Sequence, residues 1–295
     1  MAMDYVTNLM DVGIEPGEWA RRREGQGWQV LSVADHFFTA TRPFPHVWVT
    51  AAAMAAATER VTITTAFVNN LFRSPVEVAQ AALQMQNVAG GRFELGLGAG
   101  WFKAEMDGSS MVYPEARDRA GAFIEAVQIV RELLHTGACT FSGDYYDMDV
   151  PIVGPITDNP PALVGSVGGP RTVRHVTPHL DRVEIKASSA STRSGALDLG
   201  VMADIPDQHL IDMIARVRDV NPEIEIGMFV LCNAAEDDFT RGLQDTMGSN
   251  LYSRFFGPPA HVVEGLAWLA ELGITRAQLS PFDDSSLDRL APLLF

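Results

Sequence analysis

The chain has only two cysteines, Cys139 and Cys232, far apart and in no Cys-x-x-Cys pair. That excludes a disulfide framework and a cysteine-based zinc module, and predicts two reduced, mostly buried thiols in a cytoplasmic protein. Long apolar runs are missing as well. No stretch approaches the roughly 20 residues that span a bilayer, and the opening residues Met1 to Val6 lack a basic region followed by an apolar core. Positive charge is scarce: 22 Lys and Arg stand against 37 Asp and Glu, a formal net charge of -15. No acidic tail holds this charge, so it is spread over the surface and disfavours nucleic acid and anionic membranes as partners. Hydrophobic residues, at 47%, are ample for a large core, and 295 residues suit one α/β barrel as well as two smaller domains.

Short apolar runs alternate with amphipathic stretches, a βαβα rhythm that implies a parallel sheet. Strands are predicted near 3–9, 28–34, 61–66, 92–97, 162–166, 182–186, 224–231 and 276–280. Helices are predicted near 16–26, 46–58, 75–89, 114–136, 170–178, 206–220, 237–252 and 259–272. In the fourth helix Ala120, Phe123, Ile124, Val127, Val130 and Leu134 recur at spacings of three and four, with Gly137 as the stop. Val262, Leu266, Leu269 and Leu272 repeat the pattern before Gly273 and complete the helical layer. Eight of each element is the count of a (β/α)8 TIM barrel. The expected organisation is one domain over 1–295, with insertions near 138–160 and 187–204 that break the rhythm and cover the C-terminal face.

The most informative segment runs from Arg92 to Glu105. Phe93, Leu95 and Leu97 make a buried strand, and Gly96, Gly98 and Gly100 remove side chains where the backbone turns or something large lies against it. The glycines alternate, so this is not a dinucleotide fingerprint. Two further strand exits carry unusual residues: Leu31 to Phe38, with Asp35 and His36, and Val61 to Pro75, with Asn69, Asn70 and Arg73. Together with Pro160 to Arg171, which holds Gly168, Gly169 and Arg171, these segments resemble the luciferase-like family. That family comprises bacterial luciferase, reduced-flavin monooxygenases and oxidoreductases using the deazaflavin coenzyme F420. The resemblance runs from about Trp28 to the C-terminus in the family's order.

In a barrel of this kind the active site lies at the C-terminal ends of the strands. His36 is the leading catalytic candidate, because an imidazole titrating near neutrality can exchange a proton with substrate or reduced cofactor. Asp35 beside it is read as fixing the ring, binding cofactor or capping the loop. The resemblance implies a non-prolyl cis peptide between Ala66 and Phe67 supporting the flavin face, with Asn69 offering an amide. The resemblance also implies that Gly98, Ala99, Gly100 and Trp101 make the glycine-rich wall of a cofactor site. Gly168, Gly169 and Arg171, opening a helix, make a phosphate seat of free N–H groups and a cation. Arg73 is read as tying the third loop to its neighbour, and Glu105 as part of a helix start.

Three places depart from the family. Phe67 is bulkier than the usual small or aliphatic residue at the cis peptide. Trp101 stands where the glucose-6-phosphate dehydrogenase branch carries a proton-donating glutamate, which argues against the sugar reaction. Leu180-Asp181-Arg182 replaces the usual Ala-Asp-Gly before the sixth strand.

Three functions follow. The first is hydride transfer between coenzyme F420 and a small organic substrate. The second is monooxygenation with reduced FMN supplied by a separate reductase. The third is a non-redox barrel acting as a binding or regulatory subunit. The resemblance also implies a homodimer.

Overall fold

Each predicted strand forms within one to three residues of its expected bounds in a computed structural model that describes residues 3–295. The eight barrel strands are β1 (Asp4–Leu9), β2 (Val30–Val33), β3 (Thr62–Thr65), β4 (Phe93–Gly98), β5 (Ala162–Val167), β6 (Arg182–Ile185), β7 (Glu225–Ala234) and β8 (Arg276–Pro281). All neighbouring pairs are parallel, and β8 pairs with both β7 and β1, which closes the sheet on itself. Around it lie α1 (Pro16–Gly25), α2 (Val47–Ala57), α3 (Pro75–Val88), α4 (Ala116–Thr136), α5 (Pro170–Val176), α6 (Asp207–Val220), α7 (Pro259–Glu271) and α8 (Ser285–Leu294), one after each strand.

Local sequence explains the helix bounds. Proline occupies the first turn of α1, α3, α5 and α7, where a missing N–H costs nothing. Glu15 caps α1 by accepting from the Gly17 and Glu18 N–H groups at 2.9 and 2.6 Å, and Ser74 caps α3. α4 stops at Gly137, whose φ of 71° is the left-handed conformation. The apolar stripe of α4, with Phe123, Val127, Val130 and Leu134, is buried; each such side chain contributes about 1.5–3 kcal/mol of transfer free energy.

The helical count differs from expectation in one respect. Both 238–247 and α7 lie between β7 and β8, so α7 is not the last helix; α8 closes the layer. Its ten residues include Pro292, which interrupts the pattern. Of the two long connections, the first contains an antiparallel hairpin (Cys139–Ser142 with Asp147–Val150). It starts after α4, at the opposite rim, and climbs along that helix: Glu125 accepts from the N–H groups of Asp144, Tyr145 and Tyr146. Its tip thereby reaches the C-terminal face, where Asn70 Nδ2 donates to the Tyr146 hydroxyl (3.3 Å). The second connection forms a 3-10 turn over Ala187–Thr192 and a short helix over Leu199–Ala203. Gly195 O accepts from the Lys103 N–H (2.9 Å), so this segment lies against the exit of β4. Both cysteines are free and buried, and burial pushes the Cys232 thiol up to about 12. Among the described residues no helix is long and apolar enough to cross a membrane.

Candidate active site

The glycines of β4 are filled by the protein itself. A Cβ on Gly96 would stand 1.9 Å from the Thr65 carbonyl oxygen, and one on Gly98 would stand 3.2 Å from Phe67 Cβ. The third loop therefore presses directly onto the β4 exit, where Val68 and Asn69 pair with Leu97 and Gly98. The Ala66–Phe67 peptide within it is cis. Gly100 has a φ of +77°, and a side chain there would meet Asn69 Oδ1. That oxygen already accepts from the Leu71 N–H (3.0 Å). Ala66, Phe67, Asn69, Gly98, Ala99, Gly100 and Trp101 thus form one continuous wall.

His36 emerges just past β2 with 18% of its side chain exposed. Its Nδ1 lies 2.9 Å from Glu105 Oε2. Glu105 is fully buried in the first turn of the short helix Lys103–Gly108, and its other oxygen accepts from the backbone N–H groups of Phe37 and Phe38. A carboxylate that takes main-chain N–H groups is an acceptor, so His36 Nδ1–H donates and Nε2 is left as the basic nitrogen. Phe44 and Trp101 pack on the ring at 5.1 and 5.8 Å. Ring orientation, one of the roles open to Asp35, falls to Glu105.

Asp35 faces the third loop instead. It accepts from the Asn69 N–H (2.9 Å) and pairs with Arg73. Burial pushes its carboxyl above the usual aspartate range, against the pull of Arg73 and of that N–H. Asp35 and Arg73 therefore clamp the second and third strand exits together.

The segment expected to seat a phosphate, Gly168 to Arg171, follows β5 beside this wall. A Cβ on Gly98 would lie 3.9 Å from Ser166 Cβ, and the Gly168 carbonyl accepts from the Ser189 hydroxyl. The first bond within α5 is Val173 N–H to Gly169 O (3.0 Å), so the N–H groups of Arg171 and Thr172 precede the helical ladder. A Cβ on Gly169 would meet nothing within 4 Å, which is room for a ligand. The Arg171 guanidinium donates to the Arg117 carbonyl (2.9 Å). A cleft of about 240 Å³ opens beside the mouth at the ends of β1 and β8, lined by Asn8, Met10, Asp11, Arg42 and Pro281 to Asp284.

Residues 15–194 match the luciferase-like monooxygenase family. The chain belongs to that family. The matched span of this luciferase-like protein contains His36, Glu105, the cis peptide and the α5 start. Among curated relatives, the F420-dependent glucose-6-phosphate dehydrogenase of Amycolatopsis mediterranei is 31% identical over 162 residues, 54% of this chain and 49% of that protein. The Mycobacterium avium enzyme of the same name is 30% identical over 165 residues, 54% and 48% of the two chains. The match thus spans about half the length of these relatives. Solved structures share the whole fold. An F420-dependent secondary alcohol dehydrogenase bound to an F420-acetone adduct superposes with a TM-score of 0.76 at 19% identity, covering 99% of this chain and 98% of the other. The coenzyme F420-dependent tetrahydromethanopterin reductase of Methanopyrus kandleri gives 0.71 at 14% identity, covering 99% and 98%.

Glu105 was visible in the sequence only as a helix-start acid; its separation from His36 by 69 residues concealed the pairing. Lys186, the first residue after β6, was missed altogether. Its ammonium lies 4.9 Å from the Trp101 ring centroid, and burial lowers it to about 8.

Proposed function

We propose that this protein is an oxidoreductase that transfers a hydride between coenzyme F420 and a small organic substrate. The observation that carries the reading is His36, held at Nδ1 by Glu105 with Nε2 free, at a mouth walled by the cis Ala66–Phe67 peptide and the β4 glycines. The residues present fit a phosphorylated cofactor: open space above Gly169, N–H groups of Arg171 and Thr172 that precede the helical ladder, and a contiguous wall from Ala66 to Trp101. Gly168, Gly169 and Arg171 would hold the phosphate, and the loop of Ala66, Phe67 and Asn69, packed on Gly98 and Gly100, would hold the ring together with Ala99 and Trp101. Bound there, the cofactor supplies two-electron hydride chemistry.

His36 does the proton work. As a substrate alcohol is oxidised, Nε2 takes the hydroxyl proton, and the buried Glu105 carboxylate stabilises the imidazolium that forms. In the reverse direction the same nitrogen returns the proton to the alkoxide oxygen. Asp35 positions the cofactor wall by clamping the third loop through Arg73. On the family resemblance, Trp101 stands where the sugar branch has its glutamate, which argues for a substrate other than glucose 6-phosphate.

Several features support the rest of the reading. Pairing of β1 with β8 joins the two ends of the described chain, in keeping with one domain over 1–295. The buried free thiols suit a cytoplasmic protein. α2 carries no charged residue and leaves Val49 68% exposed, consistent with a homodimer. The alternative is a monooxygenase using reduced FMN from a separate reductase; a riboflavin lyase with modified FMN and a long-chain alkane monooxygenase share this fold.

Fluorescence titration with oxidised F420 and, separately, FMN tests the reading. Tight F420 binding, weakened at least tenfold by Arg171→Ala, is expected. A clear preference for FMN transfers the site to the oxygenase reading, and binding of neither leaves a non-redox barrel.

A further inference from the structure

Among the described residues, Lys186 is a cation without an anion. Its backbone is fixed at the end of β6, with its N–H donating to Val167 O (2.8 Å) and its carbonyl accepting from the Ser189 N–H (3.0 Å). The side chain has one polar contact, Nζ to Thr192 Oγ1 at 3.1 Å. None of the carboxylates among the described residues lies within 4 Å of it. On the facing segment Glu105 is committed to His36 and Asp107 to Lys103. The stem is packed deep in the protein while the residue still touches solvent, as expected for a group lining a concave mouth. Desolvation alone lowers its pKa to about 8.

The surroundings define where a ligand would sit. The ammonium is 4.9 Å from the Trp101 ring, and the same indole meets the His36 ring at 5.8 Å and a steep interplanar angle of 78°. Lys186 and His36 are therefore two polar groups separated by one aromatic surface. An ammonium offers three donors, and only one is taken by the protein. The Thr192 hydroxyl donates to Ser189 O at a weak 3.4 Å and is free to turn. A fold needs no charge at this place, since a Met side chain has the same length and would pack on the indole without the penalty of an unpaired buried cation.

We propose that Lys186, with Thr192, binds a carboxylate on the substrate, which lies across Trp101 and presents its reacting carbon to His36. This rests on the oxidoreductase reading above and adds the substrate class to it. A carboxylate is favoured over a phosphate ester because one ammonium balances one negative charge, whereas a phosphate dianion beside a single lysine would leave a buried excess charge.

Isothermal titration of the full-length protein, with and without saturating F420, using benzoate, benzamide and phenyl phosphate as probes, tests the assignment. Wild type is expected to bind benzoate at least tenfold more tightly than benzamide and more tightly than phenyl phosphate. Lys186→Met should abolish that preference while holding F420 within twofold of wild type, and Thr192→Val should weaken benzoate about threefold. Lys186→Met should melt no lower than wild type. A lower melting temperature assigns the lysine a structural role and overturns the proposal. So does a benzoate preference that survives in the variant, or no benzoate binding by wild type. Phenyl phosphate binding more tightly than benzoate overturns the carboxylate assignment, and a tenfold loss of F420 affinity in Lys186→Met overturns it in favour of the cofactor ring. If F420 fails to bind while the Lys186-dependent benzoate preference persists, the carboxylate site stands and the redox reading falls.

Discussion

At the scale of single residues, the site depends on one carboxylate serving three donors. Glu105 holds the Phe37 and Phe38 N–H groups and His36 Nδ1 with two oxygens and no solvent contact. Glu105→Gln keeps one acceptor but turns an amide N–H2 toward a donor, leaving a buried polar group unpaired. A loss of about 1–3 kcal/mol is expected in urea unfolding. Proton transfer should suffer more than binding: the F420 affinity should change less than threefold while turnover with any identified substrate falls at least tenfold. An unchanged turnover would remove Glu105 from the role of positioning His36. Such a role was illegible in the sequence because hydrogen bonding between a residue after β2 and another after β4 leaves no local spacing to detect. Lys186 escaped for the opposite reason, since a lysine after an apolar strand reads as the start of a solvated loop.

At the scale of elements, the glycines show what sequence could and could not reveal. That β4 ends in small residues was plain from Gly96, Gly98 and Gly100, and that something lies against them follows from their placement. What lies there is the protein's own third loop, which no pattern in β4 identifies. The consequence is a sharp contrast between two substitutions. Gly96→Ala drives a Cβ into the Thr65 carbonyl oxygen and requires β3 and β4 to part; a loss of about 3 kcal/mol or more is expected. Gly169 lies in extended backbone with open space around it, so Gly169→Ala should leave the denaturation midpoint unchanged and lower F420 affinity. Equal effects of the two substitutions on stability would contradict this geometry. Regular elements were legible where their periodicity ran long, as in α4, and were lost where it was short, as in α8, which Pro292 interrupts.

At the scale of the whole molecule, the barrel interior carries charge that the sequence scatters over three strands. Arg276 on β8 reaches Glu94 on β4, and Arg182 and Glu184 stand on β6, so alternate strands supply an ionic layer in place of the usual branched aliphatics. Glu184 Oε1 has no hydrogen-bond partner, and a Cβ on Gly227 would collide with the other oxygen, so the carboxyl is tightly enclosed. Burial raises its pKa from 4.5 to about 8 despite Arg276 and Arg182. Two residues beyond Glu184, just past the end of β6, burial lowers Lys186 from 10.5 to about 8. The two groups act on stability in opposite windows. The contribution of Glu184 is fully present below pH 4.5 and is lost as pH rises through about 8, because the folded state holds the proton longer than the unfolded chain. The contribution of Lys186 is present above pH 10.5 and is lost as pH falls through about 8, because the folded state then has to accept a buried charge. Through these two groups stability passes through a minimum near pH 8. Each limb amounts to about 1–3 kcal/mol, allowing for screening by the open mouth. Urea unfolding at pH 5, 8 and 9.5 should show the minimum in wild type, a flattened acid limb in Glu184→Gln and a flattened alkaline limb in Lys186→Met. Saturating carboxylate ligand should fill in the minimum near pH 8 by pairing the ammonium, and should do nothing to the Lys186→Met protein. A wild-type acid limb that persists in Glu184→Gln would mean that the interior layer is held ionised by Arg276 across the whole range.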